Sequence, residues 1–333
     1  MRQPEVVRLA ALVLALALVV PVAWAGWSAL LAGAFLLEFL IQGRPGALSM
    51  LTAAPARRPF LVPGASADLY VHAGLHAGAP LVLVHGFSPE GKDDPRVREA
   101  AALLSRTGFD VAVPTIPGLT RGRLGREDIE PVIATLAGRA ASTLVVGVSV
   151  GAGPALLAAA DPRVRERVSA VLTLGGYASA REVVRFWLTG AYEYEGIRGR
   201  VDHDPELVRT FVRANADRLD ASSRAILETA DRDRAARLLT ALPPDLQQYL
   251  DALSPLRVAR DIRARLVLVH GRADRAVPYT ESLRLAAARP ERTTLVLVGV
   301  VEHVEGRGAS GWRGARDFLA LWRVMYALRA TPP

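Results

Sequence analysis

A mostly parallel, doubly wound α/β sheet is the fold class this sequence predicts, and three observations predict it. Short apolar, β-branched runs alternate with helical stretches from residue 67 to 174 and again from 266 to 328. Alternation of that kind places strands side by side with helices on both faces. One of these strands, residues 142–146, runs into Gly147-Val148-Ser149-Val150-Gly151 and then into a helix opening Ala152-Gly153-Pro154. The third observation is a block at about 180–260 that holds several amphipathic helices and no convincing strand. It reads as a helical insertion between two strands of one sheet, and the economical place for it is over the carboxyl ends of the strands, where ligands bind in open α/β sheets.

The elements follow in order. Residues 67–72 alternate like an edge strand and 81–84 form a buried one. In the helix at 95–106, Val97, Ala100, Ala101 and Leu104 share a face. The strand 110–113, a helix near 127–136, the serine-bearing strand with its helix, and the buried strand 168–174 come next. The insertion carries helices at 205–215 and 222–239. Beyond it lie the strand 266–269, a helix at 280–288, the strand 294–298 and a last helix around 312–328. Residues 45–63, rich in Pro, Ala and Gly, read as a connector.

The first forty residues stand apart. From Val6 to Ile41 the only charges are Arg8 and Glu38. So long an apolar run signals a membrane segment or a signal sequence rather than a globular core element. Arg2, Arg8 and Ala23-Trp24-Ala25 suit a cleaved signal. The apolar run resumes at once from Trp27, which favours a retained anchor. Pro21, Gly26 and the pair Trp24/Trp27 suggest a break at a membrane–water boundary. The expectation is therefore an N-terminal anchor of one or two apolar helices within residues 1–45, followed by the α/β domain over 46–333. A hairpin would bring Arg2, Arg8, Arg44, Arg57 and Arg58 to one side and leave the domain in the cytoplasm, whereas a single span would put it outside. The expectation leans to the first.

Composition removes other classes. The chain has 333 residues, 51% of them hydrophobic, enough for one substantial core and an added segment. Its net charge of +8 comes almost wholly from arginines interleaved with Asp and Glu, Lys92 being the one lysine. That is a solvated surface, not a phosphate-binding stripe, so nucleic acid is not expected as a partner. The absence of cysteine excludes disulfides, thiolate nucleophiles, Cys-held metals and a lipoprotein anchor.

The serine sits where a tight strand-to-helix turn would lift its hydroxyl clear of the sheet, with Gly147 and Gly151 leaving room for the turn. A serine that transfers acyl groups needs a base, an acid to hold the base, and donors for the oxyanion. Of the six histidines only His303 follows the last core strand. Asp274 follows the strand 266–269, while Asp261 precedes it at the wrong end, and the segment 175–179 after the strand 168–174 has no carboxylate. The backbone N–H of Val150, directly after the serine, and that of Phe87, in the turn His85-Gly86-Phe87, are the expected oxyanion donors. Gly86 permits the bend, and His85 reads as a packing or hydrogen-bonding residue rather than a catalyst.

The order Ser149, Asp274, His303, with His85-Gly86 ahead of the elbow, resembles the α/β-hydrolase superfamily over roughly residues 65–330. The resemblance implies an eight-stranded sheet, a cap formed by the insertion, and the roles of nucleophile for Ser149, base for His303 and orienting acid for Asp274. Serine at the elbow departs from the dehalogenases and epoxide hydrolases of that fold, which use aspartate there. The turn at Gly86 also lacks the longer glycine run of some lipase and esterase branches. The expected function is hydrolysis of carboxylic esters, thioesters or amides at a membrane through an acyl-enzyme on Ser149, with no cofactor and no metal. A non-catalytic binding protein of the same fold, and a transacylase or C–C hydrolase using the same triad, are the alternatives. The expected partners are a small acyl substrate, lipid-like or not, and a membrane. Phe186, Trp187, Tyr192, Tyr194 and Phe211 either line an apolar acyl pocket or pack the cap onto the sheet.

Overall fold

The computed structural model describes residues 3–41, 46–74, 76–139, 142–302, 305–306 and 311–330. Eight strands make one sheet: β1 (Ala56–Val62), β2 (Ala65–Val71), β3 (Ala79–Val84), β4 (Phe109–Pro114), β5 (Thr143–Val148), β6 (Val168–Leu174), and, past a two-stranded hairpin of β7 (Ala191–Tyr194) and β8 (Ile197–Arg200), β9 (Arg265–Gly271) and β10 (Thr293–Val298). Their order is β1-β2-β4-β3-β5-β6-β9-β10. The pairings β1–β2 and β2–β4 are antiparallel and the other five are parallel. A short pair, β11 (Val301–Glu302) with β12 (Glu305–Gly306), follows the sheet.

Thirteen helices accompany the strands among the described residues. They are α1 (Gln3–Leu40), α2 (Ala47–Leu51), α3 (Pro95–Arg106), α4 (Pro117–Thr120), α5 (Ile129–Ala137), α6 (Ala152–Ala160), α7 (Ala180–Thr189), α8 (Pro205–Ala214), α9 (Ala221–Glu228), α10 (Arg232–Thr240), α11 (Pro244–Ala252), α12 (Thr280–Ala288) and α13 (Gly311–Ala330). The period of two along a strand assigns its residues to the two faces. Val82, Val84, Val145, Val171 and Leu268 meet Ile133, Leu136, Ala155 and Leu285 of α5, α6 and α12. The residues between them, such as Leu81, Leu83, Val111, Val113 and Val146, meet Ala101 of α3, Ala32 of α1 and Met325 of α13. Coverage on both faces is why these strands are apolar throughout.

The cap leaves and re-enters the sheet at one place. Leu256 N–H donates to Ala178 O at 2.9 Å, and Ala180 N–H to Ser254 Oγ at 2.9 Å. Glu281 of α12 accepts from the N–H groups of Ala178 and Ser179 at 3.0 and 2.8 Å. Burial raises its pKa above the usual carboxylate value. Within the cap, Leu188, Val208, Val212, Leu227 and Ala235 form a separate small core.

Three expectations are corrected. The connector at 45–63 contains α2 and the first strand of the sheet: β1 is an edge strand whose exposed Arg57, Arg58 and Pro59 hide it, since an edge tolerates both charge and a missing N–H. The insertion is not purely helical, because β7 and β8 form a hairpin through Glu195 and Gly196, both at positive φ.

The third correction concerns the N-terminus. No break occurs at Pro21 or Gly26: α1 is continuous from Gln3 to Leu40, so there is no hairpin of two helices among the described residues. One proline interrupts a single hydrogen bond, and long apolar turns on both sides carry the helix through it. Val19–Leu40 is long and apolar enough to cross a membrane by length and composition. Yet from Ser28 onward one side of α1 belongs to the domain: Leu31, Ala32, Ala34 and Leu36 are 0–4% exposed, and Trp322 Nε1 donates to Ala29 O at 2.9 Å. Packing thus crosses the boundary expected at residue 45.

Candidate active site

β5 delivers Ser149 at the carboxyl edge of the sheet, where the chain turns through a 3₁₀ turn (Ser149–Gly151) into α6. The backbone of Ser149 has φ of +54°, a left-handed conformation that serine adopts only under constraint. The constraint is visible on both sides. A Cβ on Gly147 would lie 2.7 Å from Ala152 Cα, and one on Gly151 would lie 2.1 Å from His85 O. Both glycines are there because strand, turn and helix approach too closely for any side chain. Gly86 fits less tightly but still against the elbow, since a Cβ there would be 3.0 Å from Ser149 Cβ and 3.5 Å from its Oγ. The turn after β3 therefore abuts the elbow, bringing Gly86 and Phe87 to Ser149 and Val150.

His85 fastens that turn. It is 1% exposed; its Nε2 accepts from Ile116 N–H at 3.0 Å, which leaves Nδ1 to donate to Gly86 O at 2.7 Å. Burial lowers its pKa, favouring the neutral ring that this pattern needs. Replacing His85 with leucine should leave Ile116 N–H without its acceptor, a loss of about 1–3 kcal/mol. It should also free the Gly86 carbonyl and lower kcat by about 10- to 100-fold at little changed KM. Urea unfolding and ester kinetics on the variant check both.

Ser88 continues the turn. Its hydroxyl donates to Asp94 Oδ2 at 2.8 Å, while Asp94 Oδ1 accepts from Arg96 N–H at 2.8 Å and caps α3. The Arg96 guanidinium, together with these donors, holds the Asp94 carboxyl down from 3.8 to about 2. A depressed pKa means stability that is complete above 3.8 and lost as pH falls through about 2. Asp94→Ala is expected to destabilise by about 1 kcal/mol at pH 6, the difference from the parent shrinking between pH 4 and pH 2 in denaturant titrations.

Asp274 lies in the turn after β9, as expected. It is buried; Oδ1 accepts from the N–H groups of Ala276 and Val277 at 2.8 and 2.9 Å, and Oδ2 is 3.4 Å from His270 Nε2. His270, fully buried, also binds the turn: its Nε2 donates to Val277 O at 3.0 Å and its Nδ1 accepts from Ser282 Oγ at 2.7 Å. His303 lies outside the described residues. Its neighbours on either side, β11 and β12, pair just beyond the end of β10, with β11 against β9 and β12 against α1.

A cavity of about 1380 Å³ opens above Ser149. Its wall includes Gly86, Phe87 and Val150 from the elbow region, Trp187, Val208 and Phe211 from the cap, Ala276 and Val277 from the Asp274 turn, and Phe39 from α1. The cap aromatics divide. Trp187 stands between Phe87 and Phe211, with ring centroids 5.7 and 4.9 Å away, and donates Nε1–H to Ala276 O at 2.7 Å. Phe186 is wholly buried against His203 and Tyr192, and Tyr194 lies under Arg284. Trp187 and Phe211 thus face the cavity, whereas Phe186 packs the cap.

Sequence reasoning missed the second partners. Ile116 for His85, Ser282 for His270 and Glu281 for the 178–179 turn come from distant parts of the chain. A histidine next to glycine at a strand end was the only local sign of the first two.

Sheet order, elbow and inserted cap together define the α/β-hydrolase fold. Solved structures agree. A puromycin-hydrolyzing peptidase of Mycobacterium tuberculosis aligns over 86% of this chain and 41% of its own length, at 18% identity and a TM-score of 0.53. The 2,6-dihydroxy-pseudo-oxynicotine hydrolase aligns over 83% and 68%, at 18% identity and 0.52. At such identities the likeness is one of fold. The chain spans less than half the length of the peptidase. No protein-family model and no curated protein sequence matches this chain.

Proposed function

We propose that this chain is a serine hydrolase of carboxylic esters, thioesters or amides, held at a membrane by the part of α1 that precedes Ser28. Ser149 Oγ attacks the substrate carbonyl as His303 takes its proton, and the N–H groups of Val150 and Phe87 receive the oxyanion. His303 then protonates the leaving group as the carbonyl–leaving-group bond breaks. Water, deprotonated by the same histidine, attacks the acyl-enzyme and releases the acid. Asp274 orients the histidine. The observation that carries the reading is the strained φ of +54° at Ser149, on an elbow that abuts the β3 turn and opens into the cavity. Strain of this kind persists only where the surroundings impose it, and it clusters at functional sites.

The test is covalent labelling with a fluorophosphonate probe followed by peptide mapping. A single adduct on Ser149, together with turnover of a nitrophenyl ester, is the expected result. Folded protein that takes no label and hydrolyses no ester is a binding protein, and the reading fails.

A further inference from the structure

We propose that the serine site takes its acyl substrate from the aqueous phase, on the side of the domain turned away from the bilayer, and not from the membrane that holds the protein. The proposal rests on the reading of Ser149 as nucleophile and of α1 as anchor, and it follows from the direction of three elements.

The parallel strands all end at the edge where β5 delivers Ser149. Helix α13 runs back from that edge. Near its start, Asp317 accepts from Gly299 N–H at 2.6 Å, one residue beyond the end of β10. Near its finish, the guanidinium of Arg329 lies beside Gly108, one residue ahead of β4. Helix α1 runs antiparallel to α13, because Ala29 and Gly33 sit at Trp322 while Leu36 joins Leu321, Val298 and Val300. Its course is therefore from the amino ends of the strands to their carboxyl ends, where Phe39 reaches the wall of the cavity.

The exposed part of α1 accordingly leaves the domain at the end opposite the site. Val22 and Trp24 are 73% and 54% exposed, and from Val19 onward the first buried residue is Ser28. From Gln3 to Trp27 the helix is about 37 Å long at 1.5 Å per residue, which spans a hydrocarbon core of about 30 Å. Trp24 and Trp27 then stand at the interface, where tryptophan concentrates. Met50, 87% exposed, and Leu51 belong to the same end. The first turn of their helix α2 donates from Gly46 and Ser49 N–H to the Glu38 carboxylate of α1, and the chain then runs back toward Thr52, whose carbonyl accepts from Arg106 at the end of α3.

Along the axis Phe39 is about 18 Å beyond Trp27. Because α1 is one unbroken helix docked along the core, the domain cannot turn over to bring the cavity down. A bilayer lipid would have to rise that distance and hydrate its chains on the way. An ester, thioester or amide dispersed in water enters directly, and the apolar wall at Phe87, Trp187 and Phe211 receives its acyl part.

Full-length protein in phosphatidylcholine vesicles tests this with two chromogenic esters. One is a water-soluble nitrophenyl butyrate. The other carries the same chromophore on a long-chain diacyl lipid, placed in the enzyme's own vesicles or in separate ones. The expected result is equal butyrate turnover for vesicle-bound and detergent-dispersed protein, with the lipid ester cleaved at least tenfold more slowly and no faster in the enzyme's own vesicles. Lipid ester cleaved tenfold faster in the enzyme's own vesicles than in separate ones overturns the proposal. Release of the protein by alkaline carbonate overturns the anchor, and failure of both esters with no label on Ser149 overturns the nucleophile. Either result takes the proposal with it, and the three failures are distinguishable.

Discussion

Exchange of Ser149 for alanine is expected to lower ester turnover by about 10³-fold or more, and to abolish fluorophosphonate labelling, with no loss of stability. The second half of that expectation comes from the backbone. At φ of +54° the residue pays for its position, and the alanine variant keeps the same strain. Glycine enters this region freely, so Ser149→Gly should be equally inactive yet more stable than the parent, by about 0.5–1 kcal/mol. Urea midpoints of the two variants, read beside their kinetics, separate the nucleophile from its scaffold. A glycine variant less stable than the alanine one would show that the left-handed turn is not a source of strain.

Truncation should divide α1 in two. Removal of residues 1–26 leaves in place every helix residue described as buried, and the remaining protein is expected to fold, stay monodisperse without detergent and keep its kcat/KM for a soluble ester. Removal of residues 1–41 takes Leu31, Ala32, Ala34 and Leu36 from the core and uncovers the indole of Trp322. At about 1.5–3 kcal/mol for each of the two leucines and about 0.8 kcal/mol for each alanine methyl, the loss is on the order of 5–8 kcal/mol. That approaches the whole stability of an ordinary domain, about 5–15 kcal/mol. The longer truncation should therefore give aggregated or unfolded protein by circular dichroism and size exclusion. If it folds and hydrolyses esters as well as the shorter one, the packing of α1 on α13 adds nothing.

Seven of the eight sheet strands were legible, most because strands covered on both faces must be apolar runs such as Leu81–Val84 and Leu266–Val269, although residues 67–72, which alternate like an edge, lie inside the sheet between β1 and β4. The eighth, β1, was hidden because edges are built from residues that elsewhere end a strand, here Arg57, Arg58 and Pro59. The elbow was legible because Gly147 and Gly151 announce a close approach within five residues. Its restraints were not: His85 is held by Ile116, 31 residues away, and Ser282 holds His270 from the far side of the Asp274 turn. In α1 the apolar run revealed a helix but not its partner, since the same leucines satisfy lipid tails or a protein core. Partners far along the chain, Trp322 on α13, Leu103 on α3 and Val298 at the end of β10, decide that residues 28–40 choose the core.

The joined stalks of the cap have a consequence for how such a protein diversifies. Ala178 and Leu256 are bonded to one another, so some seventy-seven residues begin and end at one point on the scaffold. Such an insert carries a small core of its own around Leu188 and Val212, while Val183, Leu242 and Leu250 join the main core beside Val150 and Ala152, so an exchanged insert must keep that apolar face. Trp187, Val208 and Phe211 bring the cap into the cavity's apolar wall. Recombination at this seam would alter what the cavity admits while the turn holding Ser149 stays as it is, allowing substrate range to change in one genetic step rather than by the slow revision of a core.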